Sequence, residues 1–169
     1  MVTLRRALPQ DAPAIAAVHV ASWHSTYTGL LPPAFLAARS FHVRLAFWSD
    51  CLTAADPAVH IYVACQPAGA ICGFVSGGPE RAEDFGADSE LYSLYLLESV
   101  QGLGLGRRLV QEVLRQLPGP TTAVWVLGIN PARRFYERIG ARPLRERQVE
   151  LGQQWFTEAA YDLGPCRNV

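Results

Sequence analysis

Gln101-Gly102-Leu103-Gly104-Leu105-Gly106-Arg107-Arg108 constrains this chain more than any other stretch of it. The run before it, Glu90 to Leu97, is rich in tyrosine and leucine, almost continuously apolar and of strand length, the pattern of a central strand buried on both faces. After the turn, Leu109, Val110, Val113, Leu114 and Leu117 recur at helical spacing until Pro118-Gly119-Pro120 ends the helix. Strand, glycine turn and helix in that order require a fold in which helices pack on a sheet. The turn also has its own chemistry. Glycines let the backbone come close to an anion, and the unpaired amides and dipole of a helix start supply positive potential. Arg107 and Arg108 add charge-assisted hydrogen bonds.

This way of holding phosphate needs no lysine, and the chain has none: all fifteen basic residues are arginine. A lysine Schiff base, a pyridoxal-phosphate lysine and a P-loop lysine are thereby excluded. The dinucleotide fingerprint G-x-G-x-x-G does not fit either, because the pattern breaks at Arg107 and no acidic residue follows at the spacing that a ribose contact requires.

The remaining elements alternate between strand and helix. Val2 to Ala7 reads as a strand, Asp11 as the N-cap of a helix reaching about Tyr27, and Pro32-Pro33 as the opening of a second helix. His60 to Cys65 and Ala70 to Gly77 read as a hairpin around Gln66-Pro67-Ala68-Gly69. Thr121 to Leu127 is the next strand, Asn130-Pro131 caps a short helix that Gly140 closes, and Arg142 to Glu150 and Gln154 to Leu163 are two final strands. The fold class is α/β (α+β), in one domain over residues 1–169, since separate domains need on the order of 100 to 150 residues each.

Composition narrows the function further. Formal net charge is zero, which argues against nucleic acid and anionic membrane as partners. No run approaches the roughly 18 apolar residues of a membrane helix and Met1 to Gln10 lacks the form of a signal peptide, so a cytoplasmic location is expected. Cys51, Cys65, Cys72 and Cys166 show no metal-binding spacing and read as free thiols, and the four scattered histidines suggest no metal site.

The turn at Gln101 to Gly106 resembles the pyrophosphate motif Q/R-x-x-G-x-G/A of the GNAT superfamily of acyl-coenzyme A N-acyltransferases. The strand before it and the block from Val124 to Ala141, with Asn130 and an F-Y-x-x-x-G ending at Phe135-Tyr136 and Gly140, are similar to the family's pattern in order and spacing. That resemblance implies a mixed, mainly antiparallel sheet of about six to seven strands flanked by about four helices, with the coenzyme entering where the two central strands splay apart.

The resemblance further implies acetyl-CoA as co-substrate, no metal, an amine acceptor that is a small molecule or peptide, and direct attack in a ternary complex; a homodimer is compatible with it. A non-catalytic acyl-CoA sensor is the alternative. By the same resemblance Leu94, Tyr95 and Leu96 offer backbone groups to the pantetheine, and Gln101, Gly102, Leu103, Gly104, Leu105, Gly106 and Arg107 hold the pyrophosphate. Asn130 touches the pantetheine, Arg133 or Arg134 lies near the adenine or ribose phosphate, Tyr136 is the proton donor and Glu90 the general base. Trp23 and Tyr27, with His24 between them, are placed to line the acceptor pocket. Glu80, Glu83, Asp84, Asp88 and Glu90 together form an acidic segment that could attract a cationic amine.

Overall fold

Alternating residues at the N-terminus form β1 (Thr3–Arg6), and the Ala/Ile/Val-rich run behind it forms α1 (Ala12–Tyr27). The computed structural model describes residues 1–81, 86–164 and 166. Asp11 occupies the N-cap position of α1, but its side chain does not cap the helix. Its carboxylate accepts from Arg5 Nη1 (2.6 Å) and Nη2 (2.9 Å) and from the Leu8 N–H (2.8 Å). A bidentate guanidinium is a stronger partner than a helix amide, and it holds the Asp11 carboxyl below the usual carboxylate range.

The Pro32-Pro33 break opens two helices where the sequence suggests one, α2 (Pro33–Ala37) and α3 (Phe41–Ala54). Ser40 separates them as the N-cap of α3, its hydroxyl accepting from the Val43 N–H at 3.5 Å. The remaining elements are β2 (His60–Cys65), β3 (Ile71–Gly78), β4 (Ser89–Leu96), α4 (Leu105–Leu114), β5 (Thr122–Leu127), α5 (Arg133–Arg138), β6 (Arg142–Leu151) and β7 (Gln154–Asp162).

All seven strands join one sheet in the order β1-β2-β3-β4-β5-β7-β6, antiparallel throughout except for the β4–β5 pair. Strand periodicity divides the core between two faces. Val63, Phe74 and Tyr95 pack with Ile15, Ala16 and Trp48 beneath α1 and α3. Their neighbours Ala64, Val75 and Leu94 pack with Leu109, Val110 and Val113 of α4 on the other side. Each fully buried valine, leucine or isoleucine among them contributes about 1.5 to 3 kcal/mol relative to exposure. The edge strand β6 is charged along its length, with Arg142, Arg145, Glu146, Arg147 and Glu150, which discourages pairing with another chain. Gly152 and Gln153, both at positive φ (57° and 64°), form the two-residue turn into β7. That turn lies so close to Pro32 and Phe35 that a Cβ on Gly152 would stand 3.0 Å from the Phe35 Cβ. The β6–β7 hairpin and α2 thus meet at one end of the sheet.

His19 is buried in the aromatic layer between α1, α3 and the sheet, stacked on Tyr95 at 4.5 Å and accepting from Trp48 Nε1 at 3.1 Å. Burial, reinforced by the Arg44 and Arg39 charges, lowers its pKa from 6.5 to about 3. A pKa depressed on folding means that the unfolded chain binds the proton more readily, so the stability contribution is complete above 6.5 and is lost as pH falls towards 3. Asp11 begins its own loss only near and below 3.8. Thermal midpoints recorded between pH 7 and 4 are therefore expected to fall in the wild type and to fall less in His19→Gln; equal slopes would show that His19 does not carry the effect.

Candidate active site

The parallel β4–β5 pairing covers only Ser89, Glu90 and Leu91 against Thr122, Ala123 and Val124. Beyond that point β4 remains on β3 while β5 follows β7, and a gap opens between the two central strands. A cavity of about 300 Å³ lies in the gap, walled by Tyr92 to Tyr95 on one side and Val124 to Leu127 on the other. The Leu97 N–H bonds the Cys72 carbonyl at 2.9 Å and so sets the phase of the β3–β4 ladder. In antiparallel pairing hydrogen-bonded pairs alternate, so Leu94 and Leu96 turn their backbone groups away from β3 and towards the gap. Tyr95 instead pairs with Phe74, and its ring is what reaches the cavity.

At the C-terminal end of β4 the chain makes the glycine turn. Gly102 and Gly104 both stand at φ 75°, and a Cβ added to either would meet nothing within 4 Å. Gly104 is the N-cap of α4. Among the described residues, the amides from Leu103 to Arg107 find no acceptor, as expected of a helix start that has no capping side chain. Gln101 turns inward: its Nε2 donates to the Leu96 carbonyl at 3.1 Å, which also accepts from Ser22 Oγ at 3.1 Å. Arg107 is exposed beside the free amides.

The inner wall of the gap is made by the segment after β5. Asn130 Oδ1 accepts from the Ala132 N–H at 2.8 Å and its Nδ2 donates to Tyr27 Oη at 2.6 Å. It therefore closes the turn before α5 rather than capping the helix, whose N-cap is Ala132, because the Arg133 N–H first turns back to the Asn130 carbonyl (3.2 Å). Tyr136 on α5 is 5 % exposed and lines the cavity, its ring against Phe135 and Tyr161. Its hydroxyl has no hydrogen-bond partner among the described residues, and burial pushes the phenol above its ordinary range. Arg133 faces Tyr161 (Nε to Oη, 3.0 Å) and Glu146 (3.6 Å), whereas Arg134 is exposed.

Trp23 and Tyr27 line the cavity 4.9 Å apart, and Trp23 Nε1 donates to Tyr95 Oη at 2.8 Å. His24 points outward and is exposed. Glu90, at the inner end of the gap, is buried and accepts from the Arg81 N–H (2.9 Å) and Arg81 Nη2 (2.7 Å). The rest of the acidic segment also has internal partners: Glu80 accepts from the Ala87 N–H, and Asp88 accepts from the Thr121 N–H and hydroxyl. Glu83 and Asp84 lie outside the described residues.

Four charged residues on the wall were not singled out from the sequence: Arg39, Arg81, Arg147 and Glu158. Glu158 accepts from Arg147 Nε at 3.0 Å. Its only mark in the sequence is a charge inside the apolar run Trp155 to Tyr161. Among the described residues no group of three or more His, Cys, Asp or Glu side chains could hold a metal ion, and no helix is long and apolar enough to cross a membrane.

A gap between two central parallel strands, bordered by a glycine turn with free amides, matches the acetyltransferase (GNAT) family, whose pattern fits residues 20–141. This chain belongs to that family. The uncharacterized N-acetyltransferase YuaI of Bacillus subtilis is 35% identical over 154 residues, 89% of this chain and 86% of YuaI. Among solved structures, a protein assigned to the GNAT family from Desulfovibrio desulfuricans is 25% identical, with a TM-score of 0.71 over 96% of this chain and 98% of its own. The PaiA N-acetyltransferase of Thermoplasma acidophilum, solved with coenzyme A, is 17% identical and shares the fold, with a TM-score of 0.68 over 94% and 98%. For this GNAT chain the family's reaction class is acetyl transfer.

Proposed function

We propose that this chain transfers an acetyl group from acetyl-CoA to the primary amine of a small molecule or peptide, by direct attack with both substrates bound. The observation that carries the reading is the β4–β5 gap, with the free Leu103–Arg107 amides at its outer border and the unpartnered Tyr136 hydroxyl on its wall. The Thermoplasma relative, which holds coenzyme A, supports the choice of co-substrate. The residues present fit that group: open space over Gly102 and Gly104 beside five free amides suits a pyrophosphate.

Acetyl-CoA, when bound, supplies an activated acetyl thioester. In this reading Gly102 to Arg107 bind the pyrophosphate, Gln101 braces the turn through the Leu96 carbonyl, and Leu94 offers its backbone groups and Leu96 its N–H to the pantetheine. Asn130 fixes the wall beside it through Tyr27, and Arg133 borders the nucleotide end. Tyr136 gives its proton to the departing sulfur. Glu90 takes the amine proton, held in place by Arg81, and Trp23 and Tyr27 orient the acceptor.

The test is an acyl-transfer screen read by thiol release, run with purified protein over chemically diverse amines, alongside calorimetric titration with acetyl-CoA. Saturable binding together with thiol release on at least one amine is expected. Binding with no transfer across the panel would make the chain a coenzyme sensor, and no binding would overturn both readings.

A further inference from the structure

The charges on the cavity wall do not balance. Arg81 pairs with Glu90 and Arg147 with Glu158, which leaves Arg39 as the one arginine of that wall with no carboxylate partner among the described residues. Its guanidinium lies 3.4 Å over the Phe35 ring and 5.2 Å from Trp23, and among the described residues only Nη1 finds an acceptor, the Phe35 carbonyl at 3.0 Å. A guanidinium carries five N–H donors, so most of those on Arg39 are unassigned.

Arg44, in the first turn of α3, approaches the same indole from 5.9 Å. It too has no carboxylate partner among the described residues. It lines a second cavity of about 430 Å³ on the α1–α3 side, and Trp23, Arg81, Tyr92, Ser93 and Tyr95 are common to both cavities. Arg39 and Arg44 are each half-buried, and burial lowers the pKa of both, the Arg44 charge adding to the effect on Arg39. Two like charges held together beside a cavity and partly out of water, with no acid to offset them, are unfavourable in the empty protein. An anion within reach of both would offset the repulsion and engage the unused donors.

We infer that the amine acceptor carries an oxyanion, a carboxylate or its phosphonate equivalent, seated by Arg39 and Arg44 beside the Trp23 indole, while its amine enters the β4–β5 gap. The inference rests on the acetyl-transfer reading and names the acceptor class, an amino acid or a compound of that form. It also separates this site from a cation-collecting one, since the two carboxylates on its wall are already paired with arginine.

The test uses α-amino acids of graded side-chain size, each beside its carboxamide, its decarboxylated amine and its aminophosphonate. The acids are expected to exceed the amides and simple amines at least about tenfold in kcat/KM, the scale of a charge-assisted pair. Arg39→Gln and Arg44→Gln should each raise KM for the acids more than they lower kcat, and bring the acid-to-amide ratio towards one. The phosphonates distinguish a general oxyanion seat from one shaped for carboxylate. Preference for the neutral or cationic members, or an unchanged ratio in both variants, would overturn the inference.

A second measurement keeps failure of the seat distinct from failure of the transfer reading. Calorimetric binding of N-acetyl amino acids and of the matching N-acetyl amines to protein saturated with coenzyme A needs no turnover. A preference for the acids that disappears in Arg39→Gln would establish the seat even without catalysis, and no preference would reject it even in an active enzyme.

Discussion

Tyr136→Phe is expected to bind acetyl-CoA as the wild type does and to lose about a hundredfold to ten-thousandfold in turnover, the range for removal of a positioned acid. The ring is fixed by Phe135 and Tyr161 and belongs to the α4-side core, so the packing survives the substitution and only the hydroxyl goes. That hydroxyl has no protein partner among the described residues and so stabilises nothing that would be lost. Burial raises its pKa, which guarantees that the proton is present at neutral pH but also makes the phenol a weaker acid. A free phenol titrates near 10 and a thiol near 8.5, so transfer to a fully formed thiolate would run uphill. In the proposed role the proton therefore moves as the carbon–sulfur bond breaks, and the tyrosinate is reprotonated before the next turnover, the proton that Glu90 takes from the amine balancing the one given to sulfur. Single-turnover kinetics on the variant decide the matter: a chemical step at the wild-type rate would reduce Tyr136 to a packing residue.

Gly104→Val is expected to weaken acetyl-CoA binding by about ten- to a hundredfold or more, the worth of one to two charge-assisted hydrogen bonds. At φ 75° the residue holds the left-handed conformation that starts α4, and its missing side chain faces open space beside the free amides. Valine would occupy that space and resist that backbone, and the strain alone costs about 1 to 2 kcal/mol of stability. Gly69→Val supplies the control. Gly69 has φ 88° and equally open surroundings but lies in the β2–β3 turn, away from the gap. The two variants should lose similar stability, and only Gly104→Val should lose coenzyme affinity by titration. Equal affinity in both would remove the turn from the binding site.

Much of the frame could be read from the residues because its causes are local. The strand–turn–helix unit is written in three alternate glycines and the apolar period from Leu109 to Leu117, and α4 begins at Leu105 as that pattern requires. The hairpins, the stop at Gly140 and the two final strands follow from turn residues acting over a few positions. Where two local claims competed, the sequence was ambiguous. Asp11 had the composition of a cap but lay within reach of Arg5, and the run after Pro33 had helical residues throughout but also Ser40, which starts α3 afresh. The phase of β4, which gives Leu94 and Leu96 to the gap and Tyr95 to β3, depends on a bond from Leu97 to Cys72 in another strand.

The sequence by itself determined the layered fold and the strand–glycine turn–helix unit, since each depends on a periodicity or spacing carried within one segment, while Tyr136 entered as a candidate acid through the resemblance of its segment to the family's pattern. Only the tertiary structure decided which charges meet. Asn130 bonds Tyr27 across 103 positions, Glu90 is held by Arg81, and Glu158 is held by Arg147. Arg39 and Arg44 lie against Trp23 of α1, reached from the α2–α3 link and from α3. Nothing in the order of fifteen arginines distinguishes the paired from the unpaired. An ion pair is fixed by distance in three dimensions, and that distance is set by the packing of whole helices on the sheet.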